Sequence, residues 1–396
     1  MNQFTSDLVR APASSPPGVT AQVAETLSQR LSEWEIAHEM VVGDPEQPNV
    51  MATIEAESAG PHLIYNVPLD TPVLSPAARK ERDPFGGGIK EGRVYGAAVG
   101  SRACLSALAY ALRFLASCRN RWLGKVTLTA VSQEGNFGPW GARYLLAQRP
   151  EVIGDAAIIG MATGAETVRF GEKGVVWANV HVQGKVSHAA TPHAGIDAVK
   201  IGARLIGDLA EIETVQGQAS PELAERLEAT RELADMLTGK RTNDIALLVT
   251  TCASPVRGGL SHNKVPDKFD MSLDIRVPPG LTARAIVPHL ERLVARYPEA
   301  TIEITSLNDP SISDPDDALF KSIVEAGRIV FATSPVPTFS LPGSDARLWR
   351  YAGKPAAVFG PRAYSGDGDY VLSDDLLAFA GAYSLASLKY LGVSIE

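Results

Sequence analysis

The sequence contains little cysteine and no excess of positive charge. Its 396 residues include three cysteines, Cys104, Cys118 and Cys252, which are widely spaced and form no CxxC pair. We therefore predict neither a disulfide framework nor a thiolate zinc site, and expect buried free thiols. Lys and Arg number 37 against 45 Asp and Glu, and the formal net charge is -8. Without a basic run, this balance argues against binding to nucleic acid.

Long apolar runs are also missing. No stretch approaches the roughly 20 residues that a membrane-spanning helix needs, and the N-terminal residues lack a basic segment followed by an apolar one. We expect a soluble, cytoplasmic protein with no membrane partner. The apolar share of 45% is sufficient for a large core, and the length of 396 residues suggests two domains.

Apolar runs alternate with amphipathic segments in the first part of the chain. Apolar residues recur at helical spacing over residues 19–36 and 101–118, whereas short apolar runs at 50–56, 62–67 and 125–131 are typical of buried strands. This alternation of strand and helix indicates an α/β layered domain.

The order of elements changes in the middle of the chain. Residues 176–307 contain segments in the order βαββαβ, which is the order of a ferredoxin-like module. The last part then returns to the pattern of the first. We predict a discontinuous α/β domain over residues 1–175 and 308–396, with the ferredoxin-like domain inserted between its two parts.

Several motifs carry a resemblance to a known family. They include DPFGGGIKEGRVYG, GKVSHAATPHAGIDAV, GGLSHNKVPDKFDMSLDIRVPPG and PGSDAR. With the order of segments, these motifs are similar to those of the acetylornithine deacetylase, succinyl-diaminopimelate desuccinylase and carboxypeptidase G family, the dinuclear zinc hydrolases of peptidase family M-20. The resemblance implies an α/β zinc-hydrolase-like catalytic domain and a ferredoxin-like lid domain that also mediates dimerisation. A homodimer is therefore expected.

The metal-binding positions of this family are mostly changed here. The resemblance implies two His and three carboxylate ligands, with a further Glu as general base. The five ligand positions hold Pro68, Ser101, Glu134, Met161 and Ser365, and the base position holds Gln133. Only Glu134 is still a carboxylate, while Asp70 keeps the acid that supports the first ligand. We therefore predict no metal and no cofactor.

The positions that handle the substrate are unchanged. The resemblance implies that His188 reaches across a dimer to the scissile carbonyl oxygen, and that Asn263 and Arg276 bind the carboxylate of the substrate. Further contacts are expected from Gly343, Ser344 and Arg347. Structural roles stay open for some of these residues. Asn263 could cap a turn, Arg276 could pair with Asp274, and Asp345 could cap the helix that follows it.

Three functions remain open. The first is a metal-independent enzyme that acts on a small amino-acid-derived or peptide-derived carboxylate by cyclisation, acyl transfer, isomerisation or elimination. Glu134 would be its acid or base, His188 its acid or oxyanion stabiliser and Asp70 an orienting group. Its hydrogen-bonding groups would be Gln133, Ser101, Tyr65 and Ser365. The second function is a catalytically inactive pseudo-hydrolase that serves as a ligand-binding or partner subunit, and the third is a metal-dependent amide hydrolase with a rebuilt site.

The enzyme hypothesis ranks first because the changes fall on the metal-binding positions, whereas the carboxylate-binding motifs are intact. Loss of the cations would leave Glu134 in a cleft without a compensating charge. We therefore expect the pKa of Glu134 to be raised toward a value useful for proton transfer.

Overall fold

The computed structural model describes residues 1–15, 18–72, 83–97, 99–364 and 369–394. Its α-helices are α1 (Asn2–Val9), α2 (Ala21–Glu33), α3 (Val99–Ala116), α4 (Ala142–Gln148), α5 (Ala198–Asp208), α6 (Pro221–Ala229), α7 (Arg231–Thr238), α8 (Thr242–Ala246), α9 (Ala283–Val294), α10 (Ala318–Phe331), α11 (Ala346–Tyr351) and α12 (Ser373–Tyr390). Its strands are β1 (Ser14–Ser15), β2 (His38–Val41), β3 (Asn49–Glu55), β4 (Ser58–Pro68), β5 (Thr71–Pro72), β6 (Ile89–Lys90), β7 (Arg93–Tyr95), β8 (Leu123–Val131), β9 (Ala156–Gly160), β10 (Thr167–Glu172), β11 (Gly174–Gln183), β12 (Thr250–Gly258), β13 (Lys268–Val277), β14 (Ala300–Asn308), β15 (Ser311–Ile312), β16 (Val336–Ser340), β17 (Ala356–Phe359) and β18 (Tyr370–Leu372).

The chain divides into two compact units. The first unit contains Met1–Phe170, Ile312–Pro337 and Ser344–Glu396, and the second contains Gly171–Ser311 and Thr338–Gly343. The second unit thus includes a short segment near residue 340 that the sequence analysis assigned to the first domain.

The first unit is built on a mixed sheet in which β17, β9, β4, β8, β3 and β2 lie side by side in that order. The four strands from β17 to β8 are mutually parallel, whereas β3 is antiparallel to β8. Every residue of β9 and of β17 is buried. Strands covered on both faces read as continuous apolar runs, which is the pattern seen in the sequence.

Helices cover both faces of this sheet. On one face, Ile64, Ile159 and Val358 from three strands pack in one apolar cluster with Leu145 of α4 and Trp349 of α11. Successive residues of a strand point to opposite sides, so Tyr65 lies on the other face of the sheet. That face packs against α3, and Tyr65 bonds to Ser387 of α12. The predicted α/β layered architecture is therefore confirmed.

The second unit is built on a four-stranded antiparallel sheet in the order β12-β13-β11-β14. Alternate residues of β13 are buried, so one face of the sheet forms the core. Leu205 of α5 and Ile286 and Leu290 of α9 pack into that core with residues of β11 and β13. The order β11, α5, β12, β13, α9, β14 is the predicted βαββαβ order, and the ferredoxin-like fold is confirmed.

Two expectations about the surface have different outcomes. Cys104 is buried on α3 and Cys118 is half-buried, but Cys252 is exposed on β12, so the expectation of buried thiols is wrong for Cys252. Its strand lies at the edge of the sheet, where a side chain has fewer neighbours. Among the described helices, none combines the length and the apolar character needed to cross a membrane.

Candidate functional site at the carboxyl ends of the parallel strands

Polar residues of the first unit follow directly on the ends of neighbouring parallel strands. β4 ends at Pro68 and β8 ends at Val131, and these two residues are paired in register. Parallel neighbours end at one edge of the sheet, so Leu69–Asp70 and Ser132–Glu134 lie at the same edge. Small molecules bind to open α/β sheets outside this carboxyl edge. These two segments therefore occupy the place where a ligand site is expected.

The carboxylate of Asp70 is bound by main-chain donors of the second segment. Its Oδ1 accepts the N–H of Glu134 at 3.1 Å and its Oδ2 accepts the N–H of Gly135 at 3.0 Å. Burial raises the pKa of Asp70, while these hydrogen bonds act in the opposite direction because they favour the charged form. Asp70 therefore orients the backbone of Glu134, whose side chain is also buried.

Gln133 closes a tight loop beside that contact. Its backbone has φ 55°, which is uncommon for a residue with a side chain. Its Oε1 accepts the N–H of Trp140 at 2.9 Å, and its main-chain carbonyl accepts the N–H of Gly138 at 3.1 Å. A Cβ at Gly138 would come within 2.3 Å of Oε1, so a side chain there would displace the Gln133 amide. The amide of Gln133 thus has a structural role that sequence reasoning missed.

A buried ion pair borders the same edge. The Arg347 and Asp345 side chains are 2% and 4% exposed, and Nη1 lies 3.4 Å from Oδ1. The guanidinium of Arg347 lies over the ring of Phe137, 4.1 Å from its centroid, and Asn66 donates to Asp345 at 3.4 Å. Burial raises the pKa of Asp345, and the charge of Arg347 opposes that increase. Arg347 is therefore held on several sides.

The start of α11 differs from one expectation. The N–H of Ala346 bonds to Ser344 Oγ at 3.2 Å, and the Asp345 side chain makes no capping hydrogen bond. Asp345 does occupy the N-cap position of α11, but its carboxylate pairs with Arg347 and does not cap the helix through a hydrogen bond. Ser344 is buried in the first unit and Gly343 is half-buried in the second. Contact of Ser344 and Gly343 with a substrate remains a prediction.

The remaining candidates of the first unit lie in different surroundings. Ser101 is half-buried in the first turn of α3. Tyr65 is fully buried, and its hydroxyl bonds to Ser387 Oγ in α12. Burial raises the pKa of Tyr65 well above its ordinary value, so this residue serves the packing of α12 on the sheet. Ser365 lies outside the described residues.

Arg102 is a buried cation that sequence reasoning missed. It lies on α3 with 1% exposure and donates to the main-chain carbonyls of Leu69 and Ala11 at 2.5 and 3.3 Å. Burial lowers the pKa of Arg102 to about 10, and the nearby Asp70 opposes this decrease. The available signal was an arginine near the start of a mostly apolar helix.

The second unit brings His188 and Asn263 together. The two loops that carry them are joined by a hydrogen bond of 2.9 Å from the N–H of Ala189 to the main-chain carbonyl of Asn263. His188 is exposed, and its Nδ1 accepts the N–H of Ala190 at 3.1 Å. The neutral ring then carries its proton on Nε2, which is left as a donor. The Oδ1 of Asn263 accepts the hydroxyl of Ser261 at 3.0 Å, so its amide also serves the turn.

Arg276 lies on β13 of the same unit. Its guanidinium makes two contacts of 2.7 Å with the carboxylate of Asp274, which confirms the ion pair considered from the sequence. Lys173 is a second cation there and was missed. It is 2% exposed, and its Nζ donates to the main-chain carbonyls of Ile245 and Leu248 at 2.9 and 2.5 Å. Burial and the charge of Arg276 lower the pKa of Lys173 to about 8.

The residues that the resemblance assigns to the family's metal positions do not fit a dinuclear centre. Pro68 has no donor side chain, and Met161 and Ser101 are poor substitutes for carboxylates on a hard or borderline ion. Both oxygens of Asp70 already accept main-chain hydrogen bonds. Within the described ranges, no three His, Cys, Asp or Glu side chains are grouped in a way that could hold an ion.

Comparison with known proteins identifies relatives for the sequence and for the fold. Residues 170–301 match the M20 peptidase dimerisation domain. A succinyl-diaminopimelate desuccinylase from Wolinella succinogenes is 24% identical over 288 residues, which is 71% of this chain and 71% of that protein. An uncharacterised metallohydrolase from Methanocaldococcus jannaschii is 23% identical over 339 residues, covering 80% of this chain and 77% of that protein.

Solved structures extend the similarity to nearly the whole chain. The M20 family metallo-carboxypeptidase Sso-CP2 from Sulfolobus solfataricus has a TM-score of 0.82 at 17% identity and covers 98% of both chains. The dipeptidase Dug1p from Saccharomyces cerevisiae has a TM-score of 0.80 at 15% identity, covering 100% of this chain and 96% of its own. Together, the match to the dimerisation domain, the hydrolase relatives and the shared fold show that this chain is similar to the M20 peptidases.

Proposed function

We propose that the chain is a metal-independent enzyme that acts on a small carboxylate derived from an amino acid or a peptide. The reaction class is acid–base chemistry such as cyclisation, acyl transfer, isomerisation or elimination. One observation carries this proposal. The buried Asp70 holds the main-chain N–H groups of Glu134 and Gly135, and thereby fixes a carboxylic acid at the ligand-binding edge of the sheet.

Glu134 is the proposed acid or base. Glu134 is buried. A carboxyl group that is held in place can donate or accept a proton, and such transfer contributes roughly 10²–10⁴-fold to a rate near neutral pH. Gln133 has no proton to exchange in that range, and its Oε1 is bonded to Trp140.

The second unit supplies the proposed groups for recognition. Asn263 and Arg276 would bind the carboxylate of the substrate, and the Nε2 proton of His188 would be donated to a substrate oxygen. Following the family resemblance, we propose that this His188 comes from the partner subunit of a homodimer, a proposal supported by the match to a dimerisation domain. The names of the relatives favour N-acyl amino acids as the first compounds to test.

The test uses the full chain purified without a chelator. Its metal content is measured, and N-acetyl and N-succinyl amino acids are offered with and without chelator, with products identified by mass spectrometry. Conversion that survives the chelator, with metal far below one equivalent per chain, supports the proposal. About two metals per chain with hydrolysis stimulated by zinc or cobalt contradicts it and favours a rebuilt metal site.

The hydrogen bond between Gln133 and Trp140 favours a second candidate, a pseudo-hydrolase that binds a ligand without converting it. The family's base position is here part of a loop closure. Calorimetric titration with the same N-succinyl amino acids separates the two functions. Saturable binding without any product supports the binding protein, whereas a product supports the enzyme.

A further inference from the structure

Arg102 lies beneath the turn that carries Asp70. Its Nη1 donates to the carbonyl of Leu69, the residue directly before Asp70, and its Nη2 reaches the carbonyl of Ala11. A guanidinium with 1% exposure has lost nearly all of its hydration, which is costly unless hydrogen bonds and an opposite charge replace it. The two carbonyls supply the first requirement.

Asp70 supplies the second requirement. Its negative charge acts on Arg102 and favours the charged guanidinium. Asp70 in turn accepts the N–H groups of Glu134 and Gly135. The contacts therefore run without interruption from Arg102 through the Leu69–Asp70 turn to the backbone of Glu134.

We infer that Arg102 is a positioning residue that gives this edge a permanent cation from the chain itself. It holds the Leu69–Asp70 turn, balances the charge of Asp70 and, through Asp70, sets the backbone of Glu134. The charge that acts on Asp70 here thus belongs to the chain itself. Only the role of Glu134 in this inference rests on the proposed function, because the contacts stand without it.

Arg350 offers a matched control. It is also a buried arginine of the first unit, and its guanidinium also donates to a main-chain carbonyl, that of Ala356 at 2.8 Å. It also contacts Ser313 and the main-chain carbonyl of Arg169. A variant of Arg350 therefore shows the effect of losing any buried guanidinium, and a variant of Arg102 shows the effect specific to the Asp70 turn.

The test compares Arg102→Met, Arg102→Lys and Arg350→Met in the full chain. Hydrogen exchange is followed by mass spectrometry in peptides that cover residues 132–140. We expect Arg102→Met to speed exchange there by at least tenfold, because Asp70 loses its anchor and its counter-charge. Arg102→Lys keeps a positive charge and should retain most of the protection, and Arg350→Met should leave these peptides unchanged.

Equal exchange in Arg102→Met and the unmodified chain would overturn the inference, as would an equal effect of Arg350→Met. If Arg102→Met does not fold, Arg102→Gln is compared with Arg102→Lys, and equal exchange in these two variants would show that charge plays no part. These exchange results do not depend on turnover. Failure of the proposed function would appear separately, as absence of product in the unmodified chain.

Discussion

The two units hold their candidate residues in opposite ways. In the first unit, Asp70, Glu134 and Arg347 are buried and bonded into the strand-end segments. In the second unit, His188 and Asn263 are exposed on loops, with local contacts to neighbouring residues. A residue bonded into the fold cannot be changed without affecting stability, whereas an exposed residue can be changed for the sake of its ligand alone.

This difference bears on how the site changed relative to the family. The positions that the resemblance assigns to the metal ligands lie in the first unit, where a missing cation would leave buried carboxylates without compensation. The structure there contains arginines and main-chain donors beside the remaining acids, as at Arg102 and Asp70. In the second unit, by contrast, His188 and Asn263 face solvent.

The largest effect is expected at Glu134. Glu134→Gln keeps the shape and the main-chain contacts but removes the exchangeable proton, so the rate on an identified substrate should fall by up to about 10⁴-fold, or ~5.5 kcal/mol. Initial rates at saturating substrate measure this change. Glu151→Gln, at an exposed position of the same unit, serves as control. Full activity of Glu134→Gln would remove Glu134 from the reaction.

The next prediction compares the loss of an arginine in the first unit with the loss of an arginine in the second. Arg347→Met leaves Asp345 buried without the positive charge of Arg347, and should lower the free energy of unfolding by about 3–5 kcal/mol. Arg276→Met breaks a pair in which the arginine side chain is 28% exposed, and should cost under about 1 kcal/mol. Urea unfolding of both variants measures the difference. Similar losses would mean that burial does not distinguish the two units.

The fold could be predicted from the sequence because its periodicities are local and strong. The apolar run at 62–67 lies within β4, and the helical spacing over 101–118 lies largely within α3. The βαββαβ order of the second unit followed in the same way. The sequence could not show that the short segment Thr338–Gly343 belongs to the second unit, because its place depends on contacts distant in sequence.

The site could be predicted only where residues act through position along the chain. Asp70 and Glu134 were predicted from the family motifs, and in the structure both follow parallel strands that end at one edge of the sheet. The hydrogen bond from Trp140 to Gln133 and the contact of Arg102 with Leu69 are tertiary, and no spacing rule reports them. Tyr65 was predicted as a hydrogen-bonding group of the site, but it is buried and bonds to Ser387. A tyrosine in an apolar strand does not show which face of the sheet it occupies.

Lys173 is a buried charge in the second unit. It therefore tests whether burial, and not the unit, determines how a charged group affects stability. The pKa of Lys173 is about 8 in the folded chain, below the ordinary 10.5, so between these pH values the unfolded chain binds the additional proton. The unfolding free energy should therefore rise with pH across this window, by about 3 kcal/mol. Lys173→Met should remove that rise. Unfolding of both proteins at pH 7.5 and pH 10.5 measures it, and parallel pH profiles would contradict the assignment.

The smallest effect on the reaction rate is expected at His188, the exposed residue for which the comparison predicts a purely functional change. His188→Ala removes the Nε2 donor and should lower the rate on an identified substrate about 10–100-fold, or ~1.4–2.8 kcal/mol. His193→Ala, at another exposed histidine of the same loop region, should leave the rate unchanged. Both variants should unfold at the urea concentration of the unmodified chain, because the hydrogen bond lost with His188 is a single exposed one. If His188→Ala lowered stability without lowering the rate, His188 would stabilise its loop and not act on the substrate. The contrast between the units would then rest on Asn263 and Arg276 alone.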